Sequence, residues 1–171
     1  AYERLDSKII NNLEYLKSRI TNFHSKKTVT GWKSEDSAFN EYGQIVRPIN
    51  RVGLYAPGGT ATYPSSILMT SVLAEIAGVN EIILAFPPSD EKVTNLMLAC
   101  CYIGGVTEAI SIGGAQSIAA MAFGTESIKK VDKIFGPGNQ YVAEAKRQVY
   151  GIVGIDSLTG PSEVMIIADE S

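Results

Sequence analysis

With 171 residues, the chain can hold one domain, or one domain and part of another. Its 45% apolar content is ordinary for a globular protein, and a formal net charge of −3 gives no electrostatic footing for nucleic acid or an anionic membrane. No apolar run reaches the roughly 18 residues needed to span a bilayer, and residues 1–27 are polar and charged, without the apolar stretch of a secretion signal.

Residues 3–24 place Leu5, Ile9, Leu13, Leu16, Ile20 and Phe23 three or four apart, which predicts an amphipathic helix. His24, the single histidine, falls near its end beside Ser25-Lys26-Lys27. A cation there complements the helix dipole, so a structural role is expected. Residues 25–40 are polar and read as a loop, with Trp32 and Phe39 expected to pin it. Residues 42–50 read as a strand, with Pro48 marking its edge or end.

From Arg51 strands and helices alternate. Residues 52–55 form a short strand. Tyr63-Pro64 opens a helix whose apolar face is Ile67, Leu68, Val72, Leu73 and Ile76, and Gly78 stops it. Residues 81–86 are a buried strand. Ser89 is the expected N-cap of the next helix, with Asp90 and Glu91 in place to meet its positive end. That helix runs to Ile103 and stops at Gly104-Gly105. Within it Cys100 and Cys101 are adjacent and point apart, so they read as buried free thiols of a reducing, cytoplasmic compartment. Strands follow over 108–112, 131–135 and 152–156, separated by two more helices. Five strands joined by four helices predict a Rossmann-like α/β fold, a parallel sheet with helices on both faces. Val164 to Ser171 reads as one more apolar strand with no helix to cover it. With a first residue that is not Met, this makes the chain an expected piece of a longer protein.

Three strands end in glycine-rich turns that lead into helices: Arg51 to Gly59, Ala109 to Gln116, and Val131 to Asn139. In a parallel sheet such turns share the carboxyl edge, where ligands bind, and each helix start offers N–H donors that suit a phosphate. Neither G-x-G-x-x-G nor G-x-x-x-x-G-K-[ST] occurs. Two readings therefore stand: a nucleotide site, or glycines that only tighten turns. In Gly136-Pro-Gly-Asn139, Asn139 is either a ligand contact or an N-cap. Gln116, in Gly113-Gly-Ala-Gln116, is either a ligand contact or a solvated first-turn residue, and Tyr55 either a cofactor contact or a core residue. The pair Asp132 and Lys133 reads as a polar interruption at a strand start. Glu144, Lys146, Arg147 and Gln148 read as a helix's wet face. No His/Cys cluster has metal-ligand spacing, and one histidine cannot serve a catalytic triad alongside other roles.

Taken together, Arg51-Val-Gly-Leu-Tyr-Ala-Pro-Gly-Gly59, Gly113-Gly-Ala-Gln-Ser-Ile-Ala-Ala-Met-Ala-Phe-Gly124, Val131-Asp-Lys-Ile-Phe-Gly-Pro-Gly-Asn139, Glu144-Ala-Lys-Arg-Gln148 and Gly160-Pro-Ser-Glu163 resemble the histidinol dehydrogenase family in order and spacing. The resemblance implies a full-length homodimeric enzyme that oxidises L-histidinol through the aldehyde to L-histidine, with two hydride transfers to NAD. It also implies a catalytic zinc and a glutamate–histidine acid/base pair. It places NAD contacts at Tyr55, Gln116 and Asn139 and a substrate contact at Ser162. The zinc ligands and catalytic residues fall outside this chain. The implied division is residues 1–50 with the other domain, 51–160 as the NAD-binding domain, and 161–171 as the start of the second. A stand-alone nucleotide-binding or oligomerisation module of the same fold is the alternative. Either way the isolated chain is expected to be inactive.

Overall fold

The structure, a computed structural model, describes residues 1–58, 63–158 and 163–169. Helix α1 (Ser7–His24) follows a short 3-10 turn, and Asp6 caps it by accepting the Lys8 N–H. Its apolar stripe is narrower than the spacing implied. Leu13 and Ile20 are buried, whereas Ile9 and Phe23 lie largely in solvent.

The region read as a loop holds a strand, β1 (Trp32–Glu35), which pairs antiparallel with β2 (Glu41–Gln44); β2 takes up only the start of the strand read over 42–50, and residues 45–50 carry no strand. Every residue of both strands is exposed, so β1 shows no buried alternation that would mark it as a strand. What holds the hairpin is cross-strand: Lys33 pairs with Glu41, and Trp32 meets Tyr42 edge-on. The Asp36 carboxylate gathers the N–H groups of Ala38 and Asn40 and closes the turn, with Phe39 at φ 63°. Phe39 is 84% exposed, and Trp32, 54% exposed, holds the segment only across its own strands, to Tyr42 and Gln44.

The main sheet is parallel and takes β3 (Arg51–Tyr55), β4 (Glu81–Ala85), β5 (Glu108–Ile110), β6 (Lys133–Phe135) and β7 (Gly154–Ile155) in the spatial order β5-β4-β3-β6-β7. The chain steps outward from β3 to β5, then crosses back to lay β6 against the other side of β3. The order reverses between β3 and β6, which is the topological switch point of a doubly wound fold.

Helices α2 (Pro64–Ile76) and α3 (Glu91–Ile103) lie with α1 on one face; α4 (Gly114–Phe123) and α5 (Gln140–Val149) pack together on the other. Period-2 alternation feeds both faces. Val52, Leu54, Ile82 and Leu84 enter the core under α2 and α3, while Tyr55, Ile83, Ala85 and Ile134 enter the core under α4 and α5. Pro64 opens α2, Gly78 (φ 78°) ends its turn, and Gly104-Gly105 ends α3 as expected. The N-cap of α3 is Asp90 rather than Ser89: its carboxylate accepts the Val93 N–H at 2.9 Å, and Ser89 contributes only its carbonyl, to Thr94. Cys100 and Cys101 are buried and free, and burial pushes both thiols up to about 12.

At the amino edge Arg51 spans three strands. Its guanidinium donates to Glu81 at 2.6 Å and to Glu108 at 2.5 Å, the first residues of β4 and β5. Asp132, read as an incidental interruption, is a staple: one carboxylate oxygen accepts the N–H groups of Asn50 and Arg51 at 2.9 Å each and ties β3 to the start of β6. Residues 163–169 carry no regular structure, and Val164 to Ile167 are exposed, so the strand expected there is not formed.

Candidate functional site at the carboxyl edge

Tyr55 ends β3 at the switch point and is 4% exposed. Its ring packs with Ile83, Ile118 and Ile134, which is the core placement left open by the sequence. Its hydroxyl accepts the Gly114 N–H at 3.2 Å, at the first residue of α4. Its carbonyl lies against Gly136, so close that a Cβ on Gly136 would overlap the carbonyl oxygen. Gly136 also has φ 123°, a region closed to most L-residues, so two independent constraints require glycine there. Tyr55 therefore joins the turn after β5 to the turn after β6.

The turn after β6 is braced from two sides. The Gly136 N–H donates to Asp156 Oδ2 at 2.9 Å, and the Gly136 carbonyl accepts from Lys146 Nζ at 2.6 Å. Lys146 Nζ also donates to Asp156 Oδ1 at 2.6 Å, which closes a ring of charge-assisted bonds. Burial works to raise the Asp156 carboxyl. The bonds from Lys146, Gly136 and Ser157, with the lysine charge, outweigh it and hold the carboxyl below its usual value. Lys146 is thus no part of a wet face. It is 4% exposed and sits on the stripe Val142, Lys146, Val149 that α5 turns to the core. The only sequence signal for this was its apolar-stripe position, four residues after Val142 and three before Val149.

Asn139 is the N-cap of α5: its side-chain oxygen accepts the N–H groups of Tyr141 and Val142 at 3.1 Å each. Its amide nitrogen has no hydrogen-bond partner among the described residues, so the cap leaves two donors facing outward from an exposed residue. Gln116 lies in the first turn of α4, exposed, with no hydrogen bond among the described residues. The helix starts are less open to an anion than the sequence suggested. Tyr55 occupies the Gly114 N–H and Asn139 caps α5, while α2 begins at Pro64 with no side-chain cap among the described residues. Gly59 and Ser162 lie outside the described residues.

Beside Asn139 is an open hollow of about 440 Å³ lined by Gly138, Asn139, Gln140, Ala143, Glu144, Arg147 and Leu158. Arg147 grips Glu144 at 2.6 and 2.7 Å, and Gln148 joins at 2.9 Å; these bonds hold the Glu144 carboxyl down to about 2. Tyr55, Gln116 and Asn139 share the carboxyl edge: one on the central strand, two on the starts of neighbouring helices. Among the described residues no three His, Cys, Asp or Glu side chains gather as a metal ion would require.

The order β5-β4-β3-β6-β7, with both faces covered and turns meeting at the switch point, defines a doubly wound, Rossmann-like α/β protein. The chain belongs to the histidinol dehydrogenase family, whose model matches residues 1–171. It is 51% identical to a histidinol dehydrogenase of Staphylococcus epidermidis and 50% identical to that of Lactiplantibacillus plantarum, each over all of this chain and 41% and 40% of the relative. It is 48% identical to that of Acinetobacter baylyi over 99% of this chain and 39% of the relative. A crystal structure of histidinol dehydrogenase from Elizabethkingia anophelis superposes with a TM-score of 0.85 at 36% identity, over 92% of this chain and 37% of that one. The chain thus spans about two fifths of the length of these relatives.

Proposed function

We propose that residues 51–160 are the NAD-binding domain of an enzyme that oxidises L-histidinol to L-histidine, with residues 1–50 and 161–171 joining its second domain. The observation that carries the cofactor reading is Tyr55, whose hydroxyl and carbonyl tie the Gly114 and Gly136 turns together at the switch point. The residues fit NAD: Asn139 and Gln116 stand at the carboxyl edge with amide donors that have no partner among the described residues, and an open hollow lies beside Asn139. NAD, when bound, accepts the hydrides released in the two oxidation steps. This chain's part is to bind and orient it. Asn139 would hold it through Nδ2, Gln116 through its carboxamide, and Tyr55 through its hydroxyl hydrogen.

Zinc and the acid/base pair belong to the same reading, which assigns them to the part of the enzyme outside this chain. The described residues offer no ligand cluster, and the two thiols are buried and held protonated. Ser162 is proposed to meet the substrate in the full-length, cytoplasmic homodimer.

The test is titration of NAD into a full-length family enzyme carrying this segment, with and without Tyr55→Phe. The variant keeps the ring and removes only the hydroxyl. Affinity should fall by about fivefold, with a modest loss of stability from the Gly114 N–H left without its acceptor. Equal affinity in both proteins would take the Tyr55 hydroxyl out of the site.

A further inference from the structure

Lys146 occupies a place in the core stripe of α5 where an apolar side chain would be less costly to bury. It spends its charge on one backbone group and one carboxylate: the Gly136 carbonyl and Asp156. Asp156 in turn takes the Gly136 N–H. Both polar atoms of Gly136 are therefore fixed by a lysine from α5 and an aspartate just beyond β7. Gly136 is also the residue with the unusual φ of 123° and the tight approach to Tyr55. Three residues further on stands Asn139, whose position depends on how the chain leaves Gly136.

We propose that Lys146 and Asp156 are positioning residues for the cofactor crevice: their ring of bonds around Gly136 sets where the Asn139 amide stands. The proposal rests on the reading that Asn139 contacts NAD. Neither Lys146 nor Asp156 lines the hollow beside Asn139; both act on Asn139 through Gly136 and its turn. A merely structural pair would change stability alone, whereas a positioning pair acts on affinity through Asn139.

The experiment is a double-mutant cycle for NAD affinity in the full-length enzyme, using Lys146→Met and Asn139→Ser, with thermal midpoints recorded for each protein. Serine keeps an N-cap oxygen and removes the amide. Lys146→Met should weaken NAD binding about tenfold in the wild-type background. In the Asn139→Ser background it should add little, because the group it positions is gone. Lys146→Arg, which can still reach a carboxylate, should recover part of the affinity. If Asn139→Ser binds NAD as tightly as wild type, the cofactor reading itself fails. If Asn139→Ser weakens binding but Lys146→Met lowers only the thermal midpoint, the reading stands and the positioning role is overturned. Equal losses from Lys146→Met in both backgrounds also overturn it. Should Lys146→Met not fold, Asp156→Asn runs the same cycle with the same three outcomes.

Discussion

Each edge of the sheet buries a cation between acceptors, and the acceptors differ. At the amino edge Arg51 bonds two side chains, Glu81 and Glu108, and so clamps three neighbouring strands. At the carboxyl edge Lys146 bonds one side chain and one backbone carbonyl, and with Asp156 it fixes a glycine turn. The first arrangement resists separation of strands. The second specifies the path of a loop. Strand cohesion and the path of a loop are thus set at opposite ends of the same strands, and the loop lies at the carboxyl edge, where open α/β sheets take their ligands.

The largest effect should come from Gly136→Ala. It forces an L-residue to φ 123° and drives a Cβ into the Tyr55 carbonyl. A loss of about 3 kcal/mol or more is expected from denaturant midpoints. A loss under about 1 kcal/mol would mean that the turn relaxes freely, and the claim of a fixed path would fail.

Arg51→Met breaks the other edge. It leaves Glu81 and Glu108 as adjacent like charges, and both are part exposed, so the cost is about 2 kcal/mol rather than that of a fully buried pair. Cys100 and Cys101 close α3 just before β5 begins at that same edge. Thiol labelling below pH 9 should be slow in wild type and faster in Arg51→Met, while NAD affinity stays unchanged. A matching loss of NAD affinity would show that the edges are not separable.

Acid sharpens the comparison further. The Asp156 carboxyl is lowered from 3.8, so its ion pair stabilises the fold at pH above that value. The contribution is lost as pH falls through the lower folded value. Urea midpoints of wild type and Asp156→Asn should differ at neutral pH and converge below about pH 4. A gap that persists into stronger acid would assign the Asp156 effect to packing.

The sequence made the alternating half of the fold readable because its signals are local. Apolar runs of strand length, Pro64 at a helix start, and Gly78 and Gly104-Gly105 at helix ends each act within a few residues. Residues 42–50 read as a strand, and β2 begins there, but β1 and its pairing are not legible because neither face is buried and the strands are held by cross-strand contacts such as Trp32 with Tyr42. Lys146 was misread for a related reason. A lysine is scored as surface unless its partners are known, and they lie at Gly136 and Asp156, in other elements. The positions of the candidate residues Tyr55, Gln116 and Asn139, at a strand tip and at helix starts, were legible in the sequence. Their internal bonds were not, since the Tyr55 hydroxyl meets Gly114 across 59 positions of sequence.

Asn139 is where the central claim can be tested with least ambiguity, because its oxygen caps α5 while its amide faces outward. Calorimetric titration of NAD into the full-length Asn139→Ser enzyme separates these roles, since serine is an equally good N-cap. Affinity about fivefold to tenfold weaker, with a thermal midpoint close to wild type, is the predicted result. Unchanged affinity would contradict the account and reduce Asn139 to a helix cap.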